Sequence, residues 1–385
     1  MPFDFDALRR RPDVEGPGLE ASDAADRLIL DEAAALIGEA GPGEIVVVDD
    51  SYGALALAAA YAGARGIRVH QDLVTGERAL AENAGRLALE GEVRSMPLAP
   101  ELVAGARLVL MRLPRSLDRL DEVSQLVAAH ADPRVVVVAG GRIKHMTLAM
   151  NEVLARSFGR LDVSRARQKS RVLMASEAGF ETRPPSSGAP QPAVGGGWPR
   201  RTRHDDLGLT VVAHGGVFAG TGVDIGTRFL LEQLGDAAPD AATAVDLACG
   251  TGVVAAWLAR ARPGLRVTAT DRSASAAASA RLTAEANGVA DRVHVTRADG
   301  LEALPDASER LIVLNPPFHS DAAISTGIAA HLFADAARVL APGGELWCVW
   351  NSHLAYRPLL ERVVGSTRQI ARNPKFTVTA SRRAA

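Results

Sequence analysis

The run RLVLMRLPRS at 107–116 returns as RLIVLNPPFH at 310–319. A chain that repeats itself over so long an interval is built from two copies of one unit, and this constrains its fold more than composition does. Other spacings point the same way. Asp49 precedes Asp72 by 23 positions and Arg112 by 63; Asp246 precedes Asp271 by 25 and Asn315 by 69. In the second half, strand-like runs at 243–247, 265–270, 292–296, 310–314 and 345–350 alternate with helical stretches at 253–260, 273–287 and 324–340. In the first half, the runs 45–48, 67–69 and 135–138 are also strand-like. Near-continuous apolar strands separated by helices predict an α/β protein, a doubly wound parallel sheet present twice. Ligands of such sheets bind at the carboxyl ends of the strands, where the polar motifs of this sequence fall.

Between the copies, 181–203 reads ETRPPSSGAPQPAVGGGWPRRTR, rich in Pro, Gly and Ser without a hydrophobic period. It is expected to be a flexible linker between domains at 1–180 and 204–385. With 47% hydrophobic and 23% charged residues the chain is a folded protein and not a disordered one. A net charge of −2 argues against a nucleic-acid coat protein but leaves room for a local basic face. Two cysteines exclude a disulfide framework and a Cys-rich zinc site. The opening MPFDFDALRRRPD lacks an apolar stretch, and no run nears the ~18 apolar residues of a membrane span. A cytoplasmic protein with no membrane contact is expected.

VDLACGTG at 245–252 is a strand, a glycine turn and a helix start. The glycines, Gly250 and Gly252, would let the backbone turn tightly and a ligand approach closely, and the helix-start N–H groups suit a polar ligand group. An ordinary strand–helix turn has the same look. Asp271, at the end of the next strand, is placed either to accept from a ribose diol or to cap the following helix. Asp299 after the third strand either meets an adenine amino group or caps a turn. Asn315, Pro316, Pro317 and Phe318 separate the classes of function. Prolines at a strand end fix the backbone and leave carbonyls without competing donors. The Asn315 side-chain oxygen and a proline carbonyl can then both accept from one –NH2 group, with Phe318 as a stacking face. That describes a pocket for a planar exocyclic amine; a Pro-rich turn with a core Phe is the alternative reading of the same residues.

Asn-Pro-Pro-Phe downstream of a glycine turn resembles the S-adenosylmethionine-dependent methyltransferases of planar nitrogens. NPPFH together with GGVFAGTGVDIGTRFLL at 215–231 is more closely similar to the ribosomal RNA guanine-N2 methyltransferases. The stretch NSHLAYRPLLERVVGSTRQIARNPKFTVTAS at 351–381, DSYGAL at 50–55 and the basic stretch after Met150 resemble the large-subunit (23S) branch. The resemblance implies two tandem Rossmann-like methyltransferase domains, the N-terminal copy degenerate and devoted to RNA recognition, the C-terminal copy catalytic. It implies S-adenosyl-L-methionine held by Asp246, Ala248, Gly250, Gly252, Asp271, Asp299 and Asn315, with Asn315, Pro316, Pro317 and Phe318 around the reacting amine. The implied partner is ribosomal RNA or a ribosomal subunit, with no metal, and two fused copies favour a monomer. In the first copy, Leu113-Pro114-Arg115 replaces Pro316-Pro317-Phe318, and Arg112 replaces Asn315. An arginine cannot accept a bond from an amine. Ser51-Tyr52 likewise stands in place of Gly250-Thr251. The sequence departs from many relatives in carrying Ala248 instead of the first glycine and in its long linker; Ala is small enough for cofactor binding to survive.

RNA binding needs cations. Arg142, Lys144, Arg160, Arg165, Arg167, Lys169 and Arg171 are the candidates, supplemented by Arg156, Arg200, Arg201 and Arg203. The run from Arg156 to Arg171 holds one acid, Asp162, and reads either as an RNA-facing surface or as a solvated helix face. His319 is a candidate proton acceptor or phosphate contact, or a surface histidine. The competing functions are a 16S rRNA guanine-N2 methyltransferase, a protein glutamine N5-methyltransferase, a nicotinamide-dependent oxidoreductase and a non-catalytic RNA-binding assembly factor.

Overall fold

The structure, a computed structural model, describes residues 2–16, 18–179, 197–317 and 322–384. It divides into two compact units, Met1–Trp198 and Pro199–Ala385. Most of the linker expected at 181–203, namely 181–196, lies outside the described residues.

The first unit carries strands β1 (Ile45–Val48), β2 (Ile67–His70), β3 (Val93–Ser95), β4 (Leu108–Arg112), β5 (Val136–Arg142), β6 (Phe158–Val163) and β7 (Ser170–Ala178). Its helices are α1 (Ala24–Glu39), α2 (Ala54–Tyr61), α3 (Val74–Arg86), α4 (Pro100–Val103), α5 (Leu117–His130) and α6 (Leu148–Ser157). The strands form one sheet in the order β3-β2-β1-β4-β5-β7-β6. Strands β1 to β5 run parallel, and β7 and β6 close the edge antiparallel. All four residues of β1, Ile-Val-Val-Val, are buried, as a central strand covered on both faces requires. One apolar layer gathers Leu28, Ile29, Val47 and Leu55; the other gathers Val46, Val48, Leu120 and Leu154.

The second unit carries β8 (Arg200–His204), β9 (Leu209–Ala213), β10 (Thr243–Leu247), β11 (Arg266–Asp271), β12 (Val293–Arg297), β13 (Glu309–Leu314), β14 (Leu340–Asn351), β15 (Gly365–Arg372) and β16 (Phe376–Arg383). Its helices are α7 (Ile225–Leu231), α8 (Val253–Ala261), α9 (Ala274–Ala286), α10 (Ala322–Val339) and α11 (Arg357–Val363). The main sheet has the order β12-β11-β10-β13-β14-β16-β15, strand for strand the order of the first unit. The chain is α/β, with two tandem Rossmann-like methyltransferase folds, as the repeat and the resemblance lead one to expect.

Two expectations change. Residues 200–203 are not linker: they lie in β8, which pairs antiparallel with β9 along its whole length. Leu209, Val211, Val212 and Ala213 of β9 are buried, and the N–H groups of Thr210, Val212 and the following His214 donate to Asn287, Thr283 and Ser279 at 2.9, 3.0 and 2.9 Å. The arginines of β8 therefore mark the outer edge of a small sheet and not a flexible segment.

The aspartate spacings are the second. Val48 pairs with His70, and Leu247 with Thr270, while Leu73 and Ser273 occupy the positions just before α3 and α9. This register sets Gln71 against Asp271. Three left-handed residues, Asp49, Ser51 and Gly53 (φ 57°, 64° and 97°), match Ala248, Gly250 and Gly252 (φ 55°, 54° and 72°). Asp49 therefore corresponds to Ala248, and Val47 to Asp246. The near-equal aspartate spacings join residues that do not correspond.

Candidate active site

In the second unit the order of strands reverses between β10 and β13, and a doubly wound sheet opens its ligand crevice at that switch point. Leu247 pairs with Leu314, so the turn that begins at Ala248 and the residue Asn315 leave the sheet side by side. Asp271 ends β11, and Asp299 follows β12 by two positions. All the sequence-predicted cofactor residues thus lie along the carboxyl edge of four adjacent strands.

The turn is shaped by two constraints. A Cβ on Gly252 would stand 2.8 Å from the Ala280 Cβ, so glycine there lets α8 pack onto α9. A Cβ on Gly250 would meet nothing within 4 Å, so this position faces open space where a ligand can approach the backbone. Ala248 holds φ 55° without being glycine, a conformation that costs an L-residue about 1 kcal/mol. Asp246 is buried, and its Oδ2 accepts from the Ala255 N–H in the first turn of α8 at 2.9 Å. Burial pushes its carboxyl up to about 7, against the lowering effect of that bond. Cys249 follows in the turn. Burial, and then the carboxylates of Asp246 and Asp271, keep its thiol protonated, and burial does the same for Cys348. Neither is primed as a nucleophile.

Asp271 is not the cap of α9. Ser273 fills that place, accepting from Ala276 N–H at 3.1 Å. Asp271 Oδ2 accepts from the Gly250 N–H and Oδ1 from the Ser273 N–H, both at 2.9 Å. It ties the glycine turn to the end of β11. Asp299 caps no turn among the described residues; its Oδ2 lies 3.9 Å from His331 Nε2 on α10.

Asn315 holds the most telling geometry. Its Nδ2 donates to Thr227 Oγ1 at 3.0 Å and to Asp224 Oδ2 at 3.4 Å. Its Oδ1 is buried and has no hydrogen-bond partner among the described residues. A buried acceptor left unsatisfied costs about 1–3 kcal/mol and calls for a donor brought by something else. Asp224 and Thr227 were not singled out in the sequence, although both lie in the 215–231 motif quoted for the resemblance. Pro316 and Pro317 follow Asn315; Phe318 and His319 lie outside the described residues.

The first unit has the same frame with other contents. Arg112, the counterpart of Asn315, pairs with Asp23 and Asp26, each at 3.3 Å. Arg119 grips Asp49 with two bonds, at 2.9 and 3.1 Å. The cleft beside them, lined by Asp49, Ser51, Tyr52, Gln71 and Asp72, measures about 210 Å3, smaller than the roughly 300–1,000 Å3 of typical ligand sites. Asp50 is buried and accepts from the Leu55 and Ala56 N–H groups at 2.7 and 3.0 Å, and burial pushes it up to about 7.

The basic run is not a helix face. Only Arg156 sits on a helix, in the last turn of α6; the rest lies on the β6–β7 hairpin. Arg142 pairs with Ser170, and the Ile143 N–H donates to the Lys169 carbonyl at 2.9 Å, which gathers Arg142, Lys144, Lys169 and Arg171 at one end of the sheet. Arg165 and Arg167 are in the connecting loop there. Arg160 pairs with Ser176, six residues along β7 from Ser170, or roughly 20 Å away. Three of the arginines are also paired: Arg160 with Asp162 at 2.7 Å, Arg156 with Asp121 at 3.8 Å, and Arg167 with Asp31. Arg142, Lys144, Arg165 and Lys169 are exposed and, among the described residues, have no acidic partner within 4.0 Å. Among those residues there is also no cluster of three or more potential metal ligands, and no helix is long and apolar enough to cross a membrane.

Comparison with known proteins covers nearly the whole chain. Residues 208–380 match the family model described as methyltransferase small domain, and residues 2–179 match the RLMG N-terminal domain. A ribosomal RNA large subunit methyltransferase G of Pseudomonas paraeruginosa is 35% identical over 381 residues, covering 98% of this chain and 97% of the relative. One from Streptomyces coelicolor is 35% identical over 388 residues, covering 98% of each. Among solved structures, the T. thermophilus 16S rRNA N2 methyltransferase RsmC in complex with AdoMet and guanosine superposes with a TM-score of 0.70 at 24% identity, covering 96% of this chain and 97% of that one. At that identity the likeness speaks for the fold alone.

Proposed function

Because the chain belongs to the ribosomal RNA large subunit methyltransferase G family, we propose that its second unit methylates the exocyclic N2 of a guanine in 23S rRNA, using S-adenosyl-L-methionine. The single observation that carries the choice of amine is the buried, unpartnered Oδ1 of Asn315 beside a fixed Nδ2. A planar –NH2 is the donor such an acceptor lacks.

The residues present fit the cofactor. Gly250 faces open space next to Asp271, a carboxylate at the strand end suited to a ribose diol. Asp246, Ala248 and Gly252 build the turn, and Asp299 sits at the neighbouring strand end. When bound, S-adenosyl-L-methionine supplies a methyl group on a sulfonium, already a strong electrophile. What the protein supplies is placement and charge. Guanine N2 is a weak nucleophile because its lone pair is delocalised into the ring. Asn315 Oδ1 and the Pro316 carbonyl accept from the amine, orient its lone pair and stabilise the positive charge that grows on nitrogen. No strong base is needed beforehand, because the nitrogen becomes acidic as its new bond forms and releases one proton to water. Pro317 stiffens the loop, and Phe318 stacks on the extruded base. Arg142, Lys144, Arg165, Lys169 and Arg171 of the first unit contact RNA phosphates. The enzyme works as a monomer in the cytoplasm.

The test is label transfer from S-adenosyl-L-methionine, offered in parallel to undermodified 23S rRNA, 16S rRNA, both subunits and a protein extract. N2-methylguanine in 23S rRNA is expected. Label in 16S rRNA would overturn the branch, and label in protein the chemistry. Asn315→Ala should lower the single-turnover rate by about 100- to 1,000-fold while S-adenosyl-L-methionine still binds. If that variant kept its activity, the amine site would lie elsewhere.

A further inference from the structure

A carboxamide has two ends of nearly the same shape and opposite polarity. Packing therefore cannot decide which end of Asn315 faces the target amine; hydrogen-bond partners must. If the end were reversed, an NH2 would confront an NH2, donor against donor. Two groups hold the Nδ2 end. Thr227 Oγ1, at 3.0 Å, belongs to a hydroxyl, which donates or accepts and so tolerates either end. Asp224 Oδ2, at 3.4 Å, only accepts. That oxygen is also fixed from behind, because it accepts from the Gly226 and Thr227 N–H groups at 2.9 and 3.2 Å as the cap of α7. Backbone donors thus dictate an oxygen at this point, the oxygen dictates the NH2 of Asn315, and the NH2 leaves Oδ1 turned the other way.

The first unit repeats the frame independently. Asp23 caps α1 and Asp26 follows three positions later, as Thr227 follows Asp224. Both reach the residue at the end of the corresponding strand, here Arg112. A guanidinium is a donor at every end, so the same frame presents no acceptor there.

We propose that Asp224 is a positioning residue of the methyl transfer, setting through its cap-fixed oxygen which end of the Asn315 carboxamide meets the guanine amine. The proposal rests on the reading of Asn315 given above. Asp224→Ser keeps a good helix cap but is too short to reach Asn315. Asp224→Asn keeps an oxygen in place, because its own NH2 would otherwise face two backbone donors. The first variant should lower kcat by about 10- to 100-fold, with KM for S-adenosyl-L-methionine changed less than about twofold and the melting temperature kept. The second should stay within about threefold of the parent.

Thr227→Val removes the indifferent partner and should cost less than Asp224→Ser. In single-turnover assays, Asp224→Ser added to Asn315→Ala should lower the rate less than about twofold further, since it acts through a group already gone. Four results would overturn the proposal while leaving the amine site standing: full activity in Asp224→Ser, equal losses in the Ser and Asn variants, a larger loss in Thr227→Val, or independent losses in the double variant. Activity in Asn315→Ala alone would instead overturn the amine site itself. Should the serine variant fail to fold, Asp224→Thr, another short helix cap, takes its place with the same expected loss and the same overturning results.

Discussion

The two units share a strand order, a switch point and three left-handed residues in the first turn, yet only one of them offers an acceptor to an amine. The difference lies in few positions. Where the second unit has Ala248, the first has Asp49, and Arg119 answers it with a two-pronged ion pair. Gln71 stands where Asp271 offers a carboxylate, and Arg112 where Asn315 offers an oxygen. Even the buried aspartate that caps the following helix has moved: Asp246 does this from the strand, Asp50 from the turn. These exchanges leave the strand order of the sheet unchanged. The backbone frame is held by apolar strands, whereas the chemistry is held by side chains that can be exchanged one at a time.

That comparison can be broken most sharply at Arg119. It is 5% exposed, and Asp49 is 21% exposed, so Arg119→Ala strands a carboxylate in a largely enclosed place. Urea unfolding of the first unit should show a loss of about 3 kcal/mol; a loss below about 0.5 kcal/mol would mean that the ion pair does not help to hold this unit together. Next comes pH. Asp50 and Asp246 each rise from 3.8 in an unfolded chain to about 7. An acid raised on folding adds stability below its unfolded value and loses it as pH climbs through its folded value. Stability should therefore fall between about pH 4 and about pH 7, and Asp246→Asn, which still accepts from Ala255, should flatten that slope in the second unit only, by roughly 1–3 kcal/mol. An unchanged slope would place the titration elsewhere.

A third contrast concerns RNA. Replacing Lys144, Arg165 and Lys169 by Gln should raise KM for rRNA about tenfold, with kcat kept. The slope of log binding constant against log salt should become shallower by about 0.7–0.9 for each phosphate no longer neutralised. Arg160→Gln, already paired and set apart, should change KM less than about twofold; equal effects would dissolve the distinction between the two groups. The smallest effect is expected at the turn. Ala248→Gly relieves a left-handed alanine and should stabilise the second unit by about 1 kcal/mol, whereas Asp49→Gly, at the same φ, removes the partner of Arg119 and should destabilise the first. Thermal unfolding reads both signs.

Much of this was legible in the sequence, for local reasons. Apolar runs ending in glycine turns or prolines announce parallel strands, and Asn315-Pro316 announces its acceptors because residue type and neighbour decide them. Three things were not legible. The partners of Asn315 lie 91 and 88 positions away, and only the folded sheet brings α7 beside β13. The two copies were misaligned by their aspartates, because Asp49 and Asp246 are the same residue type in different jobs. The arginines of β8 looked like linker because a paired edge strand and a flexible segment share the same polar composition; burial of β9 beneath it is what differs.

The bidentate grip of Arg119 on Asp49 has a consequence for how each half of this protein meets the cell. A fold whose crevice awaits a small molecule gains stability in step with the concentration of that molecule, about 2.7 kcal/mol at one hundred times Kd. The second unit is of that kind, and its stability should follow the supply of methyl donor. The first unit carries its counter-ion inside its own chain. Its stability should therefore not change with the concentration of the methyl donor.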